Sequence, residues 1–230
     1  MRKKSFYAIG IILALSALQS CSSKPEEGLL AKYFNAVKLK DVATMSSMAV
    51  DPMNIPVDSW KITSITPETA TATILADMGK NEADLKKKLE GHVGPTMDAE
   101  NGLYDAKEKY SSARSGAAKA AAKKEMDNAQ LNYDQERELH RQIQKDYNDA
   151  VAAAKKEEET TLFSLGTDQL PNVRDLAGQA FAKEIQVEIK SSDGAIHNYK
   201  LFLKRYEIKD EAAGVSHRGR WVILRFEPID

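Results

Sequence analysis

The chain of 230 residues has room for one large domain or two small ones, and its 42% hydrophobic and 29% charged content is that of a folded protein. Lys and Arg number 33 against 34 Asp and Glu, a formal net charge of -1, so no basic field exists to hold nucleic acid and no nucleic-acid partner is expected. A single cysteine excludes an internal disulfide, and four scattered histidines leave too few ligands for structural zinc; no metal and no cofactor are expected.

Arg2, Lys3 and Lys4 precede an apolar stretch from Phe6 to Leu18, interrupted only by Gly10 and Ser16 and short for a membrane span, so residues 1–20 read as a secretory signal peptide. The stretch ends in Leu18-Gln19-Ser20-Cys21, which resembles the bacterial lipobox: an aliphatic residue, a tolerant position, a small residue and the cysteine. The resemblance implies cleavage between Ser20 and Cys21, a diacylglycerol thioether on Cys21 and acylation of the new amino group. The sole cysteine of the chain stands where that motif requires it. Each buried acyl CH2 contributes roughly 0.8 kcal/mol, so several chains on Cys21 would hold the protein to a membrane without a transmembrane helix. Ser22 follows in place of the aspartate of inner-membrane retention, which favours the outer membrane over the inner, with the body facing the periplasm. Loss of Arg2, Lys3 and Lys4 takes the charge from -1 to -4 and argues against adhesion to anionic lipid by general surface charge.

Residues 21–27 are short and polar and read as a lipidated tether, with Pro25 disfavouring helix at the residue before it. From Gly28, Leu30, Tyr33, Phe34 and Val37 fall at helical spacing. Asp41 then reads as the N-cap of a second helix carrying Val42, Met45 and Met48, and Pro52 and Pro56 end the helical stretch. Alternation around Trp60, Ile62 and Ser64, and again from Ala70 to Ala76, predicts a β-hairpin. Three further strands are expected at Ile185 to Lys190, Ile196 to Tyr206 and Trp221 to Glu227, with Lys209 to Gly219 as a polar connection.

Between the two strand groups, Lys80 to Thr161 is dense in Ala, Lys and Glu and carries almost no β signal. Steps of four and three residues place Leu85, Leu89, His92, Thr96, Ala99, Leu103, Ala106, Tyr110, Ala113 and Ala117 on one stripe. A second stripe holds Ala122, Met126, Ala129, Tyr133, Glu136, His140, Ile143, Tyr147, Ala150 and Ala154. The phase breaks near Ser115-Gly116, which predicts an antiparallel coiled-coil helical hairpin with its tip there and Gly116 in a left-handed terminus. Arms of about 32 residues would extend roughly 48 Å. Gly91 to Pro95 should kink or break the first arm. A single solvated helix and a parallel dimeric coiled coil are the competing arrangements.

The fold class is therefore α+β, a helix packed on a curved antiparallel sheet and interrupted by the long hairpin. Residues 28–79 plus 162–230 are expected to form one discontinuous domain, with 80–161 inserted. Tyr33-Phe34-Asn35-Ala36-Val37-Lys38-Leu39-Lys40-Asp41, Trp60-Lys61-Ile62 and Gly219-Arg220-Trp221-Val222-Ile223 resemble the nuclear transport factor 2-like superfamily, a cystatin-like α+β fold that includes small bacterial lipoproteins. The resemblance covers about half the chain and implies a cone-shaped pocket within the curved sheet. The expected core sets Trp60, Ile62, Ile185, Val187, Ile189, Trp221 and Ile223 against Leu30, Phe34 and Val37.

No nucleophile with its base, dinucleotide fingerprint or phosphate loop is visible, so no catalytic residue is assigned and no enzyme is expected. His197 and Tyr199, on one strand face with Leu201 and Leu203, are the candidate pocket residues; a satisfied sheet histidine is the plainer reading of His197. Asp193-Gly194 reads as a turn before it reads as a catalytic aspartate, and His217 to Arg220 as a hairpin loop or a local anion site. His92 and His140 read as seam or surface residues. Three functions follow: a lipid-anchored, non-enzymatic envelope scaffold contacting a partner protein through its hairpin; binding of a small apolar ligand in the concave pocket; and an activity using His197 with an acidic neighbour.

Overall fold

A computed structural model describes residues 25–53 and 55–229. In chain order these form α1 (Pro25–Leu39), α2 (Val42–Ser46), β1 (Ser59–Ile65), β2 (Thr69–Ala72), α3 (Leu75–Ser112), α4 (Gly116–Leu165), a short 3-10 turn (Val173–Asp175), β3 (Ala177–Lys190), β4 (Ile196–Asp210), β5 (Val215–Arg218) and β6 (Val222–Ile229). The architecture is α+β, with long helices and a curled antiparallel sheet. The described residues resolve into two compact units: 25–69, 181–205 and 220–229, and 70–180 with 206–219. These divisions fall at 69/70 and 180/181 instead of 79/80 and 161/162, and they place 206–219 with the long helices. Each of β3 and β4 has one end in each unit.

In the first unit, Pro25 stands at the head of α1, where its missing N–H costs nothing, and Glu26 and Glu27 suit the positive helix start. The expected tether is therefore helical from Pro25 onward. Lys40 takes a left-handed φ of 56°, the Asp41 amide donates to Ala36 O at 2.9 Å, and the turn closes α1. Asp41 then caps α2 by accepting from the Thr44 amide at 3.0 Å, as expected; Met45 is buried, but Val42 is 68% exposed and contributes no core contact. Leu30, Tyr33, Phe34 and Val37 pack with Ile185, Val187, Ile189, Leu201, Leu203 and Ile223. Trp60, Ile62 and Trp221 are half-buried against that cluster. The Tyr33 hydroxyl accepts from the Met53 amide at 2.8 Å, and burial pushes this phenol up to about 12.

The expected β1–β2 hairpin does not form. β1 pairs with β3, Trp60 opposite Ile189 and Ile62 opposite Val187, and β2 also pairs with β3. The 14 residues of β3 are long enough to receive both in succession. The second alternating stretch ends early, because Leu75 and Ala76 already belong to α3. β3 and β4 are longer than their apolar runs suggest, and β5 lies inside the expected polar connection, paired with β4 from Glu207–Arg218 to Asp210–Val215.

In the second unit, α3 and α4 contain 38 and 50 residues, about 57 and 75 Å of helix. Their cross-contacts run in opposite directions: Lys119 lies 5.5 Å from the Tyr110 ring, Lys109 meets Glu125 at 3.4 Å and His92 meets Glu136 at 3.1 Å. Both sequence stripes coincide with the less exposed positions, among them buried Ala99, Leu103, Ala106, Ala122, Ile143 and Ala154, except at Ala117, which is exposed in the first turn of α4. The break between the helices differs in detail from expectation. Ala113 and Ser115 are extended, the Ser115 hydroxyl accepts from the Ala118 amide at 3.2 Å, and Gly116 is the first helical residue instead of a left-handed terminus. α3 also runs unbroken through Pro95. The Gly91 carbonyl, one turn earlier, has no amide donor at Pro95, and Thr96 Oγ1 donates to the neighbouring His92 O at 3.0 Å.

Candidate functional site

The lipidation residue Cys21 and the cleavage position Ser20 lie outside the described residues. Among the described residues, no helix is long and apolar enough to cross a membrane.

β4 places His197 in solvent and Tyr199 half-buried against the first unit's core. The alternation that links them to Leu201 and Leu203 is present, and Leu201 and Leu203 are buried in the core shared with α1. The acidic residue nearest in sequence, Asp193, is committed to the turn. Its carboxylate accepts from Ser191 Oγ and from the Ala195 amide at 3.1 Å, and these bonds hold its pKa below the ordinary carboxylate value. Gly194 has φ of 88°, as that turn requires. Arg218, in the expected hairpin loop, is a strand residue paired with Glu207 at 3.0 Å.

The first unit does carry a cleft of about 490 Å³, within the usual range for small-molecule sites, lined by Pro67, Ala182, Phe202, Leu203 and Leu224 with Lys183, Glu184, Lys204 and Arg225 at its polar edge. Neither His197 nor Tyr199 lines it. Several of its charges are already engaged: Lys200 meets Glu184 at 3.2 Å, and Arg225 meets Glu227 at 2.7 Å while lying 3.9 Å over the Phe202 ring.

Lys183 belongs to a buried charge network that sequence inspection missed. It pairs with Glu26 and, at 3.3 Å, with Glu68; Arg205 reaches Glu68 at 3.6 Å and lies 4.2 Å over the Phe181 ring. Burial works against the Lys183 ammonium, but bonding and attraction to Glu26 and then Glu68 outweigh it and raise its pKa. The network fixes the start of α1 to β3 and is a structural device. Its members lie up to 179 positions apart in sequence, from Glu26 to Arg205, and no local pattern announces them.

The second unit has a comparable clamp at the base of its helices. Arg174 reaches Glu158 at 2.8 Å and Glu82 at 2.9 Å, and the Glu158 bond leads in raising its pKa. The Tyr206 hydroxyl donates to Glu157 at 2.7 Å, and burial followed by that carboxylate pushes the phenol up. Away from the base, α3 displays Val93, Met97 and Tyr104 at 45, 56 and 70% exposure. Steps of four and seven residues put these three on one face, about a quarter-turn from the stripe that meets α4. Leu131 and Leu139 are also exposed on α4.

Comparison with known protein families, curated proteins and solved structures returns no match to this chain.

Proposed function

We propose that this protein is a lipid-anchored, non-enzymatic component of the bacterial envelope, held through Cys21 and facing the periplasm, the outer membrane favoured over the inner. Its long helices form an antiparallel coiled-coil hairpin that docks an envelope protein partner. The observation that carries the reading is the Val93, Met97 and Tyr104 face of α3: three large apolar side chains left in water along a helix whose other stripe is already occupied. The helix-on-sheet arrangement of the first unit supports the likeness to the nuclear transport factor 2-like superfamily, and the lipobox supports the anchor. A second reading, binding of a small apolar ligand, draws on the cleft around Phe202 and Leu224.

The test places a photo-crosslinking residue at Tyr104 in cells producing the full chain. One envelope protein should be captured, and the combined Val93→Ser and Met97→Ser changes should abolish the adduct while leaving the melting temperature unchanged. An adduct that survives those changes, or none at all, sinks the docking reading and moves attention to the cleft. Mass spectrometry of the mature amino terminus decides the anchor separately: an unmodified Cys21, or cleavage elsewhere, removes it.

A further inference from the structure

An irregularity in β6 shapes the cleft of the first unit. Opposite β4 the pairing runs Leu201–Phe226, Phe202–Arg225 and then Leu203–Ile223, so Leu224 is the extra residue of a β-bulge. Ile223 is buried in the core, and Phe226 packs on it with its ring stacked 5.3 Å from that of Tyr33. A regular strand turns alternate residues away from the core, whereas this bulge turns two neighbours, Leu224 and Arg225, away together. Both line the cleft, as do Phe202 and Lys204, which alternate with the core residues Leu201 and Leu203. The cleft therefore opens on the sheet face turned away from α1. The link between β1 and β2 walls it further, pinned to β3 by the Thr66 amide on Glu184 O at 2.9 Å and Thr69 Oγ1 on Ala182 O at 3.3 Å.

We propose that this cleft binds a single-chain amphiphile with one negative charge, a fatty-acid anion being the type. Its chain lies along Phe202, Leu224, Ala182 and Pro67, and its carboxylate meets Arg225 and Lys204. Charge selects the head group. Lys183, Lys204 and Arg225 line the cleft against one carboxylate, Glu184, which Lys200 meets from outside the lining. Lys183 is committed to Glu26 and Glu68, so recognition falls to the other two cations. Stacking over the Phe202 ring at 3.9 Å positions the Arg225 guanidinium, and its Nε serves Glu227, which leaves the donors on its terminal nitrogens for a ligand. That pair is half-exposed and worth little by itself, so sharing the guanidinium costs little. Glu184 and Glu227 beside the same cations oppose a second negative charge, which sets a carboxylate above a phosphate monoester. The inference deepens the ligand-binding reading and rests on it; it needs neither the Cys21 lipid nor the long helices.

The experiment labels the purified full-length protein with a diazirine-bearing dodecanoate below its micellar concentration and maps the adduct by mass spectrometry. Dodecanoate, dodecanol, dodecyl phosphate and dodecyltrimethylammonium serve as competitors. Label should fall on residues 66–69, 202–204 and 224–225. Dodecanoate should displace it at about tenfold lower concentration than dodecanol, the size of one charge-assisted bond, with the phosphate no better and the cation weakest. Leu224→Ser should weaken dodecanoate and dodecanol alike, whereas Arg225→Gln should bring dodecanoate to the dodecanol level and leave dodecanol unchanged. Equal displacement by dodecanoate and dodecanol, or tighter competition by the phosphate or the cation, overturns the proposal and spares the ligand-binding reading. Labelling elsewhere, or displacement by neither, overturns both. Should a variant fail to fold, the competitor series on the native chain decides.

Discussion

The two units solve the problem of burial with different materials. The first sets Tyr33, Phe34, Leu30 and six aliphatic strand residues at 0 or 1% exposure around one short helix. In the second, the buried positions between the long helices are mostly alanine, with Leu103 and Ile143 as the large exceptions. Alanine supplies helix propensity and close approach but little apolar area, so the helices rely on propensity, caps and clamps, whereas the sheet unit relies on the size of its core. Single changes should therefore cost most in the first unit and progressively less toward the helix tip.

Phe34→Ala should have the largest effect, about 4 kcal/mol, because a fully buried ring in contact with Tyr33 and Trp60 leaves a cavity. Denaturant unfolding monitored by tryptophan fluorescence measures it, and a loss under 1 kcal/mol would show that the first unit is not packed as described. Glu26→Ala comes next at about 2 kcal/mol, since it leaves Lys183, only 15% exposed at its side chain, to Glu68, which also serves Arg205. Pairing it with Lys183→Met should recover most of the loss, which the same unfolding curves report; no recovery would mean that Glu26 acts by packing alone.

Tyr33 sharpens the comparison through pH. Its phenol is raised from 10 to about 12, so its contribution is full below the unfolded value of 10 and is lost as pH rises toward 12, a decline on the order of 2 kcal/mol. Tyr33→Phe should reduce that alkaline loss in unfolding curves taken at pH 9 and 11, leaving the part that Tyr206 contributes, at the expense of its bond to Met53. The smallest effect is expected at the far end of the helices. Ser115→Ala removes the cap on the Ala118 amide and should cost about 1 kcal/mol, seen as local loss of amide protection in the first turn of α4 with the first unit unchanged.

Any shortening of the two long helices has a structural limit. Cutting at Lys80 and Thr161 would remove Glu82, Glu157 and Glu158, which hold Arg174 and Tyr206. Removing only Glu100 to Asn128 across a Gly-Ser turn keeps that base and the His92–Glu136 contact, so it shortens the helices with the base clamp retained.

Residues whose partners are close along the chain were legible in the sequence: the helical stripes, the Asp41 cap, the Asp193-Gly194 turn and the alternation of Ile185, Val187 and Ile189. Each needs only the period of its own element, and 3.6 or 2 residues repeat regardless of what is packed opposite. The α+β class and most of the first unit's core follow from the same patterns. The tertiary structure decided what joins distant segments. It paired β1 and β2 with β3 instead of with each other, recruited β5 from a polar stretch, brought Glu26 to Lys183, and set His140 beside His92. Strand pairing and buried charge depend on which surfaces meet, and that choice is made by the free energy of the whole fold, which no local spacing encodes.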